Sequence, residues 1–179
     1  GNVNASGLMV WGAGDDGLDV DQSYSGTVTN SMVILGDTSD HALEIDGPEG
    51  SYEAGFVLKD LTLKGNTVTG DGEYGDYRDR AMGETNNVYA YGFKASADVE
   101  LDNDGVATNY NNGKLKFGTW QIVLPEGVTN VKSLFKNQAT GVTVTGFGDN
   151  AAAVTAGSQT IGATLSAFDW TYAKSKSAY

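Results

Sequence analysis

Two short stretches of alternating apolar and acidic residues constrain the fold of this chain most. Residues 17–21 read Gly-Leu-Asp-Val-Asp, and residues 42–46 read Ala-Leu-Glu-Ile-Asp. Each is followed by a second apolar run that ends in glycine, at residues 31–36 and 60–65. A period of about 25 residues is typical of a solenoid, in which each repeat covers the apolar edge of its neighbour. The alternation indicates strands, so the sequence predicts an all-β fold of stacked parallel strands.

Weaker copies of the same pattern extend the repeat in both directions. Residues 6–12 parallel 31–36, residues 87–92 match 60–65, and residues 98–102 form a further acidic strand. Side chains alternate across a strand, so the apolar member of each pair should face the interior. The residues expected inside the coils are Leu18, Val20, Met32, Ile34, Leu43, Ile45, Leu61 and Leu63.

The domain organisation follows from where this repeat holds and where it fades. We expect residues 1–146 to form the coils, with a loop excursion near 102–118, where Asn, Asp and Gly are abundant. Residues 147–179 are expected to supply a last strand and a C-terminal cap, with the aromatic stretch 168–172 folding over the last coil. The first coil begins without such a cap, which predicts further coils on the N-terminal side in a longer chain. The alternative is self-association through the open edge, which would build a filament.

Charge excludes some partners. The chain has 23 acidic and 11 basic side chains and a formal net charge of -12, which repels phosphate backbones and argues against nucleic-acid binding. No apolar window approaches the roughly 18 residues of a membrane span. The chain has no cysteine, which excludes disulfides, thiolate metal sites and a cysteine nucleophile.

Residues 15–22 and 41–50, together with the closing Phe-Asp-Trp-Thr at 168–171, resemble the C-terminal coils of large Bacteroidetes-type surface proteins. The resemblance implies a right-handed parallel β-helix, located extracellularly or on the bacterial outer-membrane surface as a secreted or lipoprotein-like chain. It brings no assigned activity and no catalytic residues.

The outward positions of the acidic strands should stack into a ladder of charges. Stacked coils lie about 4.8 Å apart, so Asp19 should lie beside Glu44, and Asp21 beside Asp46. Arg78 and Arg80 are expected at the equivalent outward positions of the third coil, which would leave Asp79 facing inward. The full predicted ladder is Asp19, Asp21, Glu44, Asp46, Arg78, Arg80, Glu100 and Asp102. In this arrangement the arginines compensate the acids.

Calcium is the second way to neutralise such a ladder, because it prefers six to eight oxygen ligands. Asp15, Asp16, Asp19 and Asp40 lie in or beside the turns that enter two successive acidic strands, so they are the predicted Ca²⁺ ligands. For each aspartate taken singly, an exposed turn residue is the simpler interpretation.

Catalytic constellations are weak in this sequence. His41 is the only histidine, and no nucleophile elbow accompanies it. A lyase would need a base near the ladder, for which Lys59, Lys64 and Arg78 are the candidates.

We therefore predict a non-catalytic surface scaffold with a structural, adhesive or glycan-binding role, whose partners are polysaccharides or other surface proteins. The alternative function is a polysaccharide lyase or glycoside hydrolase built on the same fold.

Overall fold

The computed structural model describes every residue from 1 to 179. Its strands are Ala5–Ser6 (β1), Met9–Trp11 (β2), Leu18–Val20 (β3), Thr27–Ile34 (β4), Leu43–Ile45 (β5), Phe56–Lys64 (β6), Gly75–Tyr77 (β7), Gly83–Tyr91 (β8), Val99–Leu101 (β9), Leu115–Phe117 (β10), Trp120–Ile122 (β11), Phe135–Asn137 (β12) and Ala151–Ala153 (β13). The helices are Asp104–Asn111 (α1) and Tyr172–Ser175 (α2), with 3₁₀ turns at Val131–Leu134 and Leu165–Phe168.

The strands form two sheets that the chain visits in turn. Sheet A has the order β1-β4-β6-β8-β11-β13, with β2 also paired to β4 and β10 to β8. Sheet B has the order β12-β9-β7-β5-β3. All of these strand pairs are parallel. Each circuit of the chain thus adds a strand to each sheet, which confirms the predicted all-β parallel β-helix.

The core lies between the two sheets and is predominantly apolar. Leu43 and Ile45 from sheet B and Leu61 and Leu63 from sheet A are all fully buried in one hydrophobic cluster. Burial of each such side chain stabilises the fold by about 1.5–3 kcal/mol. The alternating pattern of the two acidic strands therefore predicted the interior of sheet B correctly.

Met32 and Ile34 were expected inside the coil, but the structure places them on the outer face of sheet A. The reason is a break in the alternation at Asn30, whose φ of 47° is left-handed. Register places Asp60 (φ 56°) and Asn87 (φ 54°) beside it in the next two coils. Asn and Asp adopt this conformation more readily than other non-glycine residues, so they shift which side chains face inward.

The C-terminal segment was expected to cover the last coil, but the structure places it elsewhere. After β13 the chain returns along the outer face of sheet A. There Phe168 is fully buried against Met32 and Ile34. The backbone N–H groups of Ala163 and Thr164 donate to side-chain oxygens of β6 and β4, at 3.0 and 2.8 Å. The tail thus covers an apolar outer face rather than the end of the helix.

The predicted loop near 102–118 is a capped helix followed by a strand. Asn103 caps α1, because its side-chain oxygen accepts hydrogen bonds from the backbone N–H groups of Gly105 and Val106. Val106 is fully buried in the main core, so this insertion packs onto the β-helix and leads into β10.

Candidate functional site

Outward-facing residues of sheet B stack into a column that is almost entirely acidic. The strand register aligns Asp19 with Glu44, Glu44 with Asp76, and Asp76 with Glu100. The next strand places Lys136 beside Glu100 and closes the column with a cation. Four carboxylates at the spacing of neighbouring strands repel one another unless protons or cations neutralise them.

In the third coil the structure corrects the predicted register by two residues. Asp76, rather than Arg78, lies beside Glu44. Tyr77 takes the interior position, where it is fully buried and its hydroxyl lies 2.8 Å from the Thr85 hydroxyl. Asp79, which was expected to face inward, is exposed in a turn with a φ of 55°. This register buries the Tyr77 ring in the core and leaves the Asp79 carboxylate in solvent, which is the favourable choice between the two.

Arg78 belongs to a second column, beside the first. Its backbone N–H donates to the carbonyl of Ile45, which places Arg78 next to Asp46. In the same way, the backbone N–H of Asp46 donates to the carbonyl of Val20, which places Asp46 next to Asp21. The Arg78 guanidinium contacts three carboxylates: its Nε lies 2.7 Å from Asp76 and 3.4 Å from Asp46, and it also pairs with Glu44. Asp102 follows in the next coil.

Arg80 was predicted as the second compensating cation of the ladder, and the structure places it outside both columns. Its guanidinium donates to the backbone carbonyls of Pro48 and Gly50, the latter at 2.9 Å. It therefore braces a turn of the preceding coil, and Arg78 neutralises the acids of this region without it.

A hydrogen-bonded cluster lies at the N-terminal side of the ladder. The backbone N–H and the ring Nδ1 of His41 contact Asp16 Oδ1 at 2.9 and 2.8 Å. Burial works to raise the pKa of Asp16, but hydrogen bonds from Glu44 and His41 outweigh it and hold that pKa below its usual value. Burial and the same hydrogen bond to Asp16 raise the pKa of Glu44 to about 7. The pKa values of the two carboxyl groups are therefore shifted in opposite directions, and Glu44 is the one that holds a proton more readily.

A second cluster lies further along the same face. Burial, with the neighbouring charges of Asp98 and Glu100, raises the pKa of Glu73 to about 7. Lys136 pairs with Asp98, and this hydrogen bond, which outweighs burial, raises the lysine pKa. Sequence reasoning missed Glu73, Asp76, Asp98 and Lys136. The available signal for Lys136 was its place between Phe135 and Asn137 in one more alternating strand.

The four predicted calcium ligands do not form one set. Asp16 and Asp40 are brought together with His41, with ligand atoms within 4.8 Å of one another. Asp15 instead offers its backbone carbonyl to the N–H of Asp40, at 3.0 Å, and Asp19 stands in the first column. A second group that fits a cation, with the same 4.8 Å limit, consists of Asp76, Glu100 and Asp102.

Two of the three candidate lyase bases lie away from the ladder. Lys59 and Lys64 are both in β6, and thus in sheet A. Lys64 donates to the backbone carbonyl of Ala178 in the tail. Only Arg78 is near the acids. Burial opposes its charge, but the surrounding carboxylates outweigh burial and raise its pKa, so it remains a cation.

The fold agrees with a comparison against protein families. The model of the pectate-lyase-like β-helix domain matches residues 1–173. The chain belongs to this family. Searches of curated proteins and of solved structures found no match. No helix in the domain has the length and apolar character needed to cross a bilayer.

Proposed function

We propose that this pectate-lyase-like domain is a non-catalytic, extracellular or cell-surface module that binds uronate-containing polysaccharide along sheet B. Divalent cations, with calcium the best fit, are held by the acidic ladder and connect it to the sugar carboxylates. The proposal combines the family of the chain with the arrangement of charges on one face of the β-helix.

Buried carboxylate oxygens without donors carry the proposal. Asp76 and Asp98 each have only 6% of their side chain exposed. One oxygen of each is buried without a hydrogen-bond partner in the protein. Leaving charged oxygens unpaired in the interior is costly, so they favour a bound cation. Asp76, Glu100 and Asp102 supply the all-oxygen surroundings that calcium prefers.

A cation on this face would also explain how so acidic a domain binds an acidic polymer. Direct contact between uronates and the ladder is repulsive. Calcium takes six to eight oxygen ligands, so a cation held by a few protein carboxylates retains positions for sugar oxygens. The first column has carboxylates on four neighbouring strands, roughly 14 Å in all at about 4.8 Å per strand, which suits an extended chain of several sugars.

The charge states along the ladder favour binding over cleavage. Elimination from a uronate needs a neutral base, but Arg78 and Lys136 both have raised pKa values and are ion-paired. Hydrolysis by two carboxyl groups needs them about 5 to 9.5 Å apart. Asp16 and Glu44 are instead in hydrogen-bond contact.

One observation favours a catalytic alternative. The pKa of Asp16 is lowered while that of Glu44 is raised to about 7, and such divergence is the pattern of an acid–base pair. Incubation with polygalacturonate tests this alternative. Release of unsaturated or reducing ends by the wild type, and its loss in Glu44→Gln, would replace the binding proposal with a polysaccharide lyase or hydrolase.

Calorimetric titration with calcium chloride, followed by polygalacturonate binding in calcium and in EDTA, tests the binding proposal. We expect calcium to bind and to raise the melting temperature, since a ligand bound only by the native state stabilises it. Asp76→Asn combined with Glu100→Gln should abolish both effects. Asp169→Asn, an exposed carboxylate of the tail, is the control. Equal polymer binding in EDTA and in calcium would contradict the proposal.

A further inference from the structure

A cleft of about 510 Å³ opens beside α1. Its walls come from α1, from β10 and from the segment that precedes β13. The side chains that matter most are Tyr110, Asn111, Lys116, Phe117, Glu84 and Asn150. This volume lies in the range of small-ligand sites, and no residue of either ladder column lines the cleft.

The cleft is held open by long-range hydrogen bonds. The Asn111 side-chain amide donates to the Thr143 carbonyl at 2.9 Å, and that of Asn150 donates to the Phe117 carbonyl at 2.9 Å. At the start of α1, Asp104 accepts from the backbone N–H of Gly141, at 2.9 Å. These bonds join the helix, the strand and the later segment, so a ligand would meet a site that is already formed.

Polar groups without protein partners line this cleft. The Tyr110 hydroxyl makes no hydrogen bond to the protein, and Lys116, an exposed side chain, makes no ion pair with it. Glu84 uses only one carboxylate oxygen, which accepts from Asn86 at 3.0 Å. The two asparagines described above use their NH₂ groups, so their oxygens remain acceptors. Donors and acceptors thus converge on one small volume.

An aromatic wall accompanies these polar groups. The Tyr110 ring packs against Phe117 and Phe147, with centroid distances of 6.0 and 5.4 Å. Behind it lies a void of about 10 Å³ that is lined by Tyr110, Phe117 and Trp120. Trp120 is fully buried, and its Nε1–H has no acceptor in the protein. A buried indole N–H usually has a partner, but Trp120 lines this small void and not the cleft itself.

We propose that this cleft binds one pyranose unit of a neutral oligosaccharide, independently of cations. A pyranose ring presents an apolar C–H face to an aromatic ring and hydroxyls to surrounding polar groups, and the cleft offers both kinds of surface. Glu84 and Lys116 are directly opposite each other on neighbouring strands. Their formal charges cancel, so the site favours a neutral sugar over a uronate. The site rests on different residues from the calcium-dependent surface.

Calorimetric titration in EDTA with cellotriose, mannotriose and galactotriose tests this site, with trigalacturonate alongside. We expect at least one neutral trisaccharide to bind and trigalacturonate to bind at least tenfold more weakly. The double variant Glu84→Gln, Lys116→Ala should weaken binding more than tenfold. Tyr110→Phe, which keeps the ring, should weaken it severalfold. Lys59→Ala removes an exposed lysine of sheet A outside the cleft and should leave binding unchanged.

The outcomes separate this site from the ladder. Neutral binding that survives Asp76→Asn and EDTA supports the cleft, whatever the ladder does with calcium. Absence of neutral binding in EDTA would overturn the proposal, as would unchanged affinity in the double variant with an unchanged melting temperature. Stronger binding of trigalacturonate than of the neutral sugars in EDTA would also overturn it.

Discussion

The outer faces of the two sheets differ in the side chains they present and in what packs against them. Sheet A carries Met32 and Ile34 outward, and the chain's own tail covers them with Phe168. Sheet B carries carboxylates outward, and the apolar cluster of the tail includes none of them; Glu44 keeps 16% of its side chain exposed and Asp76 keeps 6%. A parallel β-helix makes both faces from the same kind of repeat, so side-chain chemistry rather than backbone geometry decides which face is covered.

The difference also shows how each face is stabilised. On sheet A, apolar area is removed from water by residues far away in the sequence. On sheet B, carboxyl groups are neutralised locally by protons, by Arg78 and by Lys136. Substitutions on the first face should therefore act through packing and be insensitive to pH. Substitutions on the second should act through charge and respond to pH and calcium.

The largest expected effect comes from the core between the two sheets. Ile45 is fully buried between the sheets, and Ile45→Asp would place an unpaired carboxylate in the core. We expect loss of cooperative folding, because such burial costs several kcal/mol, a large part of the stability of a domain this size. Circular dichroism during thermal unfolding measures it. Asp46→Asn, the outward neighbour, is the control, and a folded Ile45→Asp protein would contradict the core assignment.

Phe168→Ala tests the outer face of sheet A that the tail covers. It removes the fully buried ring that covers Met32 and Ile34, and large-to-small changes of this kind cost about 3–5 kcal/mol. We expect faster amide hydrogen exchange in the tail and in the outer positions of β4, with no change in β5 and β7. Trp170→Ala, whose side chain is largely exposed, should have little effect. Equal protection in both variants would mean that the tail does not depend on this contact.

Arg78→Ala tests the acidic outer face of sheet B. The change leaves Asp76 without the guanidinium that its Oδ2 contacts, and hydrogen bonds to charged groups contribute about 1.5–3 kcal/mol. We expect urea unfolding to show a loss of about 2 kcal/mol at neutral pH, and a smaller loss in calcium. Arg80→Ala, which removes contacts to the uncharged backbone carbonyls of Pro48 and Gly50, should cost less. If the two variants lost equal stability, the predicted ladder with both arginines would regain support over the observed one.

The sequence predicted sheet B better than sheet A, for a physical reason. Strict alternation around Leu43 and Ile45 identifies an inner and an outer face without further information. In sheet A the alternation breaks at Asn30, and only the stacking of Asn30, Asp60 and Asn87 shows that the break is regular. After Ser31 both faces of β4 are also apolar, so the pattern there does not say which face is the core.

The candidate site was predictable only where copies of the acidic strand are close in sequence. Asp19 and Glu44 align by simple comparison, whereas Asp76 was lost to a register error because Arg78 and Arg80 imitated the outward pattern. Lys136 pairs with Asp98 across a long insertion that contains α1. The cleft beside α1 depends on contacts between distant segments and has no local sequence signal.

The smallest expected effect is a pH dependence of the free energy of unfolding that comes from the acidic outer face of sheet B. The pKa values of Glu44 and Glu73 are raised from 4.5 to about 7. Between these values the native state holds more protons than the unfolded chain, so the free energy of unfolding falls as pH rises. His41 acts in the same direction: its pKa is raised because its acidic neighbours outweigh burial, and its stabilisation is lost as pH rises through that value. Asp16 acts in the opposite direction. Because its pKa is lowered, its stabilisation is lost only as pH falls below the ordinary aspartate pKa of 3.8.

Urea titrations at about pH 5 and pH 8 measure this difference, which we expect to be about 1 kcal/mol after solvent screening. Glu44→Gln should flatten the profile, because an amide cannot release the proton that the wild type loses. Phe168→Ala should lower the whole profile without changing its slope, since no titrating group of the ladder contacts the tail. Calcium should raise stability more at pH 8 than at pH 5, because a cation competes with protons for the same oxygens. A wild-type profile that rises from pH 5 to 8 would show that ion pairs with Arg78 and Lys136, rather than bound protons, neutralise this face.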